Sequence, residues 1–344
     1  MLAPPLEIQL LTKTPIWTGD ANGKMADHIL ETGIVGSLRW WVEAIVRSAG
    51  FHVPEDPGSD SISPAANLFG TTEGKRQFAF SIDDQTAPDP HLQPNRGSSI
   101  SFKLDEKVGI GPHRDEKDRL KYPEWVFQGH PRGGSLAIRL RASQTHCAIL
   151  QSALFLASRV GAIGAKAQFG CGVFDLCRHP QDHSKIHDLL NPAYPGAPQP
   201  ETHLNAELPT LQSLFWKEIP LPGFKPSVND LTPFLLRYRI REQIRIKGYP
   251  QDLRHQICGW VRNPPSGSIF FISFPFPRND EYRIRVWGWH PLGLALPRAD
   301  LLDRIDDGIQ GHIPAAPRGF HDLGLSRARP ATPDEIVAAL GGLS

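Results

Sequence analysis

Four glycines crowd into the twelve residues from Gly161 to Gly172, between a stretch with apolar residues at helical spacing and one that alternates as a strand does. A chain with so few Cβ atoms can turn through positive φ and lie close to whatever faces it. A plain tight connection needs fewer glycines. The segment therefore reads as a loop joining a helix to a strand, with its backbone open to a ligand and Lys166 among the glycines. The GxxxxGK[ST] spacing that would set a lysine and a magnesium-binding hydroxyl on nucleotide phosphates is absent, which excludes a P-loop.

Periodicity places the elements around this loop. Leu6, Ile8 and Leu10 alternate with Glu7 and Gln9, the pattern of a strand with one buried face. After a polar loop formed by Thr14-Pro15 and Gly19 to Gly23, the residues Ile34, Leu38, Trp41, Val42, Ile45 and Ala49 recur as on one face of a helix. Alternation predicts further strands over 77–83, 99–104 and 135–141. A second helix is expected after a capping Thr145, carrying Ala148, Leu150, Ala153, Leu154, Leu156, Ala157 and Val160 inward, and a strand over 172–177 leaves the glycine loop. This order predicts an α+β class with a ferredoxin-like sheet covered by helices on one face.

Six prolines fall between His179 and Thr210. They mark a boundary between a first domain (1–178), a Pro-rich linker (179–210) and a second α+β domain (211–344). Strands are expected there over 233–240, 267–274 and 282–289. A short last helix should begin at Thr332-Pro333-Asp334-Glu335, where a cap, a first-turn proline and acids coincide.

The charge balance narrows the function. A chain of 344 residues with a net charge of +1 does not coat nucleic acid indiscriminately, so any phosphate binding must be local. Between 237 and 262 the residues Arg237, Arg239, Arg241, Arg245, Lys247, Arg254 and Arg262 face only Glu242 and Asp252; the bland reading is an alternating strand with solvated cations. Cys147, Cys171, Cys177 and Cys258 form no CxxC pair, which removes zinc-ribbon and redox motifs. With no long apolar run and no basic, apolar leader, a cytoplasmic protein with no membrane partner is expected.

Four ordered segments carry a family resemblance: the opening strand running into Thr14-Pro15-Ile16-Trp17-Thr18-Gly19, the Gly36-Ser37-Leu38-Arg39-Trp40-Trp41 helix start, Asn67-Leu68-Phe69-Gly70, and the loop Gly161 to Gly172. The chain resembles the RAMP superfamily of CRISPR-associated proteins, and within it the two-domain subunit, conventionally numbered one, of type III-B (Cmr) effector complexes. The likeness covers roughly the first half. Beyond it only Leu236-Arg237-Tyr238-Arg239 and the strand Ser266 to Phe274 contribute. The resemblance implies two ferredoxin-like, RRM-like domains in a non-catalytic subunit without cofactor. It implies contact with CRISPR guide RNA near its 3′ end, with target single-stranded RNA and with other RAMP subunits, in antiviral defence. The family's glycine loop is typically rich in arginine, whereas Lys166, Gln168 and Phe169 stand here.

The candidate RNA-binding residues follow from these readings. Gly36 leaves the approach to Arg39 open, and Arg39 at a helix start could hold a phosphate, against the alternative of a salt bridge to Glu43. Trp40 offers a stacking face, although an indole beside an apolar stripe more often packs, as Trp41 should. Gly161, Gly164, Lys166, Gln168, Phe169 and Gly170 form the loop contact, with backbone N–H groups and Phe169 stacking in place of the missing cations. Arg237, Arg239 and Arg241 complete the set. A metal-independent endoribonuclease that processes guide RNA is the alternative, with His28 as its general base. A protein-only scaffold is a third reading. Cys177, His179, His183 and His187 are legal zinc ligands, but Pro180 interrupts a run that reads as solvated linker, so no metal site is assigned.

Overall fold

The computed structural model describes residues 5–19, 26–53, 63–71, 74–114, 118–178, 183–190, 208–259 and 267–343. Its first half runs β1 (Leu6–Thr12), α1 (Glu31–Ser48), α2 (Pro64–Phe69), β2 (Ala79–Pro88), β3 (Ser99–Lys103), β4 (His113–Arg114), β5 (Leu120–Lys121), β6 (Glu124–Gln128), β7 (Arg132–Arg141), α3 (Gln144–Val160), β8 (Phe174–Arg178) and α4 (Ile186–Leu189). The main sheet has the order β2-β7-β1-β8 and is antiparallel throughout. Register follows the buried face: Ile8 opposes Ile138, Leu10 opposes Leu136, and Phe80 opposes Leu140. α1 and α3 cover that face with Ile34, Leu38, Trp41, Ile45, Leu150, Leu154 and Ala157 in one core.

The second half runs β9 (Leu214–Leu221), α5 (Thr232–Ile246), α6 (Gln251–Cys258), β10 (Phe270–Ile272), β11 (Phe276–Arg278), β12 (Glu281–Trp289), α7 (Arg298–Gln310) and α8 (Pro333–Gly341). β12 is central, paired along one edge with β9 and along the other with β10 and then β11. Beyond β9 lies a single bridge, Trp216 to His321. Leu236, Ile240 and Ile244 of α5 and Leu301, Ile305 and Ile309 of α7 pack on this sheet. The two helices cross at Gly308, where a Cβ would stand 2.5 Å from the Ile240 Cα.

Several expectations need correction. The segment 233–240 is not a strand but the first part of α5: buried Leu236, Ile240 and Ile244 recur every four residues, and Pro233 sits in the first helical turn. The cations that seemed to alternate are therefore on a helix. Within 267–274 only Phe270–Ile272 is strand. The segment 99–104 does form β3, but in a separate ribbon with β6 rather than in the main sheet. The cap of α3 is Ser143, whose Oγ accepts from the His146 N–H at 3.2 Å, and not Thr145. Most of the Pro-rich stretch, 191–207 with His179 nearby, and Arg262 lie outside the described residues.

The halves are locked together. The first core also takes in Leu211, Leu214, Trp287, Ile336 and Leu340, so α8 returns across the molecule to close it. α8 has the expected Thr332 cap, completed as a capping box by Glu335. Arg285, 1% exposed, reaches from β12 to the carbonyls of Ser158 and Gly161 at 2.8 and 2.9 Å, satisfying the C-terminal end of α3. Glu218 pairs with it at 2.8 Å. No helix among the described residues is long and apolar enough to cross a membrane.

Candidate nucleic-acid interface

The glycine loop sits where the two halves meet, and its glycines face the protein's own chain. A Cβ on Gly161 would fall 2.2 Å from the Trp41 ring; on Gly164, 2.9 Å from the Trp17 carbonyl oxygen; on Gly170, 2.7 Å from the Phe274 nitrogen; and on Gly172, 2.0 Å from the Ile163 carbonyl oxygen. The last three also have positive φ. Close approach does explain these residues, but what approaches is the molecule itself.

The loop amides are engaged in the same way. Those of Gly161, Ile163, Ala165, Phe169, Gly170 and Gly172 donate to carbonyls of Ala157, Gly172, Trp17, Lys166, Ala167 and Pro15. The Gly164 N–H donates to the Ser37 hydroxyl at 2.8 Å. These seven amides are thus not free to hold an external phosphate, which corrects that part of the sequence reading. What the loop offers solvent is exposed Ala165 and partly exposed Gly164, Lys166, Ala167, Gln168 and Phe169. Lys166 adopts the left-handed conformation at φ 62° and holds its ammonium 5.1 Å from the centre of the Trp17 ring.

The aromatic candidates are also occupied. Phe169 lies 4.9 Å from Phe127 of β6, within a small core that joins the β3–β6 ribbon to Phe234 of α5 and to Phe274. Trp40 contacts Trp41, Trp287 and Trp289 at centroid distances of 4.6, 6.1 and 5.8 Å. This indole cluster cements α1 to β12, so Trp40 and Phe169 both pack within the protein while each stays partly exposed.

The cations divide into inward and outward groups. Arg39 lies midway along α1, since the helix begins at Glu31 rather than at Gly36, and it pairs with Glu43 at 2.8 Å. It cannot join the free N–H groups of a helix start. Gly36 remains open, with nothing within 4 Å of its missing Cβ. Arg237 is turned inward. Its Nη1 donates to the Gln168 carbonyl at 2.9 Å and its Nη2 to the Cys258 carbonyl at 3.3 Å, and burial pushes it down to about 10. Arg239 pairs with Glu242 at 2.8 Å, whereas Arg241 is exposed. Sequence reasoning missed Trp17 and Ser37, which hold the loop, and Arg285, which anchors it from below. Their partners lie more than a hundred residues away.

The remaining temptations stay apart. His28 is exposed, with Nδ1 2.6 Å from the Asp27 carboxylate, and that contact holds Asp27 below the usual carboxylate range. His183 is buried against the Ser152 hydroxyl at 2.8 Å, His187 lies 3.7 Å from Asp334, and Cys177 is exposed. Among the described residues no three His, Cys, Asp or Glu side chains converge as metal ligands would.

Residues 9–175, from β1 into β8 and including both α1 and the glycine loop, match the family model of the RAMP superfamily. Among solved structures the chain is similar to Cmr1 from Pyrococcus furiosus, at 16% identity over 92% of this chain and 98% of that one, with a TM-score of 0.47. It is also similar to a chain of the type III-B Cmr-beta complex bound to cognate target RNA, at 8% identity over 88% and 99% of the two chains, with a TM-score of 0.44. No curated protein sequence matches it.

Proposed function

We propose that this protein is a non-catalytic RNA-binding and assembly subunit of a type III-B CRISPR effector ribonucleoprotein. It contacts guide RNA near its 3′ end and target single-stranded RNA, beside other RAMP subunits, in the cytoplasm. The RAMP match over residues 9–175 carries this reading, because the matched segment contains the loop and helix that the four motifs single out. Support for RNA comes from the outward cations: Lys166 has no carboxylate partner among the described residues, and Arg241 faces solvent next to the loop's anchor Arg237. Phosphate contact by such groups needs no base-specific donor pattern. Guide pairing then supplies sequence recognition.

We also infer two ferredoxin-like units, 1–178 and 211–344, joined by the linker 179–210. The first sheet follows the β-α-β-β-α-β path. In the second, β9, α5–α6, β10–β11, β12 and α7 follow the same path, with the fourth strand reduced to the Trp216–His321 bridge.

Titrating single-stranded RNA against wild type and Lys166→Glu across salt tests the reading. Weaker binding and a shallower salt slope in the variant are expected; unchanged affinity and slope would remove the loop from the site. One observation favours the alternative endoribonuclease: the Asp27 carboxylate orients the His28 imidazole as a general base requires. Repeat RNA incubated with the protein in EDTA should stay intact. Cut product that disappears in His28→Ala would replace the binding role with a catalytic one.

A further inference from the structure

A cleft of about 400 Å³ opens where the two halves meet, beside the Arg285 lock and away from the residues of the glycine loop. The first half lines it with Lys13 just past β1, with Arg159 in the last turn of α3 and with Asp175 of β8, over an apolar edge from Phe155 and Leu176. The second half contributes Arg278 at the end of β11 and exposed Asn279 in the turn that follows. Sites that hold small molecules run from about 300 to 1,000 Å³. This one has room for more than a lone anion.

The charges of the cleft are unevenly paired. Lys13 takes Oδ2 of Asp175 at 3.1 Å, and Oδ1 of that carboxylate has no partner among the described residues. Arg278 bonds Glu218 at 2.6 Å, but Glu218 also holds Arg285 and lies 4.0 Å from Arg283, which has Glu281 besides. Arg159 has no acid at all. Half-buried, it lies over the Phe155 ring at 5.3 Å and makes no hydrogen bond or ion pair among the described residues. A cation in the last turn of a helix ordinarily serves the terminal carbonyls, yet those of Ser158 and Gly161 already accept from Arg285. Lys13, Arg159, Arg278, Arg283 and Arg285 thus stand against Asp175, Glu218 and Glu281, and the surplus positive charge opens into the cleft at Arg159.

We propose that this cleft takes one ribonucleotide, with its phosphate on Arg159 beside Arg278 and its 2′-hydroxyl donating to the open oxygen of Asp175. The fork of an arginine suits a phosphate, whereas a bare anion would meet repulsion from Asp175. A ribonucleotide carries the anion and a hydroxyl donor together, and the hydroxyl is what tells RNA from DNA. Its sugar and base have the Phe155 and Leu176 edge to lie against. As one unit of a strand, the ligand rests on the RNA-binding reading above; as a free mononucleotide, it does not.

Fluorescence anisotropy with a labelled single-stranded RNA and with DNA of the same sequence, titrated with the full chain at several salt concentrations, tests the strand. Calorimetry with adenosine 5′-monophosphate tests the free nucleotide. The variants are Arg159→Gln, whose side chain bonds nothing in the fold; Asp175→Ala, at a half-exposed carboxylate; and Lys225→Gln, an exposed control of equal charge loss outside the cleft. Arg159→Gln should bind RNA at least about fivefold more weakly, with a salt slope smaller by about 0.7, while the control stays within about twofold of wild type. Asp175→Ala should lower the preference for RNA over DNA by at least about threefold, where a purely electrostatic role would strengthen both alike. Mononucleotide binding that disappears in Arg159→Gln, with RNA affinity unchanged, would also support the cleft and make the free nucleotide its ligand. Wild-type behaviour of Arg159→Gln toward both probes would overturn the cleft and leave the RNA-binding function standing. An unchanged preference for RNA in Asp175→Ala would overturn the ribose contact. A wild-type chain that binds no RNA would overturn the functional reading, and the mononucleotide would still decide the cleft.

Discussion

Arg285 is buried and Arg237 half-buried where the two halves of the chain meet, both reach across to carbonyls of the first half, and only one of them has a carboxylate. Arg285 bonds Ser158, Gly161 and Glu218, so its charge is neutralised and its donors close the end of α3. Arg237 bonds Gln168 and Cys258 and lies near another cation, Arg241, whose charge adds to the effect of burial in depressing its pKa. The first is a structural lock. The second is a fixed positive charge under a surface. A half-buried charge without an acid is maintained against its desolvation cost by the two carbonyls it bonds.

The lock predicts the largest loss. Arg285→Met should destabilise the protein by about 3 kcal/mol in urea unfolding, because the Ser158 and Gly161 carbonyls and part of the Glu218 charge lose their partner. A change below about 1 kcal/mol would mean the halves are held by packing alone. Gly172→Ala comes next, at about 2 kcal/mol, since the new methyl would meet the Ile163 carbonyl and φ is +94°. Its melting temperature should fall even without RNA, as expected of a glycine that serves the protein's own packing. Arg237→Leu should cost less than Arg285→Met, about 1 kcal/mol, because no carboxylate is left behind. Equal losses at the two arginines would erase the comparison.

How much of this was legible in the chain depended on distance. The α1 stripe, β1, β7, β12 and the Thr332–Glu335 cap were readable because their signals lie within a few residues of one another. The glycines were recognisable as sites of close approach, but the thing approaching was not. Trp41, Trp17, Phe274 and Ile163 are assembled there by the fold, and a segment read by itself offers a ligand and a neighbouring side chain equal standing. At 233–240 the arginines at 237, 239 and 241 imitated a two-residue period, while the four-residue spacing of Leu236, Ile240 and Ile244 decided the helix. Trp40 was visible as an indole near an apolar stripe, yet only β12 supplies Trp287 and Trp289 to pack against it.

The smallest effect concerns pH within the second half. His290 is buried, with Nε2 2.7 Å from the Leu296 carbonyl and Nδ1 2.8 Å from the Arg327 guanidinium. Burial first, then the charges of Arg327 and Arg298, hold its pKa below the ordinary imidazole value. The unfolded chain therefore takes up a proton before the folded one. Stability contributed by neutral His290 is complete above the ordinary histidine pKa and is lost as pH falls toward the lower folded value. Urea midpoints at about pH 7.5 and 5.5 should differ less in His290→Gln than in wild type. The same difference in both proteins would place the acid sensitivity elsewhere.

The RNA-binding surface itself is reached most directly by photo-crosslinking the assembled ribonucleoprotein, with photoreactive nucleotides placed along guide and target RNA, and mapping the adducts by mass spectrometry. Adducts on Lys166 and Arg241 are expected. Adducts confined to other surfaces, or none on this chain, would contradict a nucleic-acid interface at the junction of its two halves.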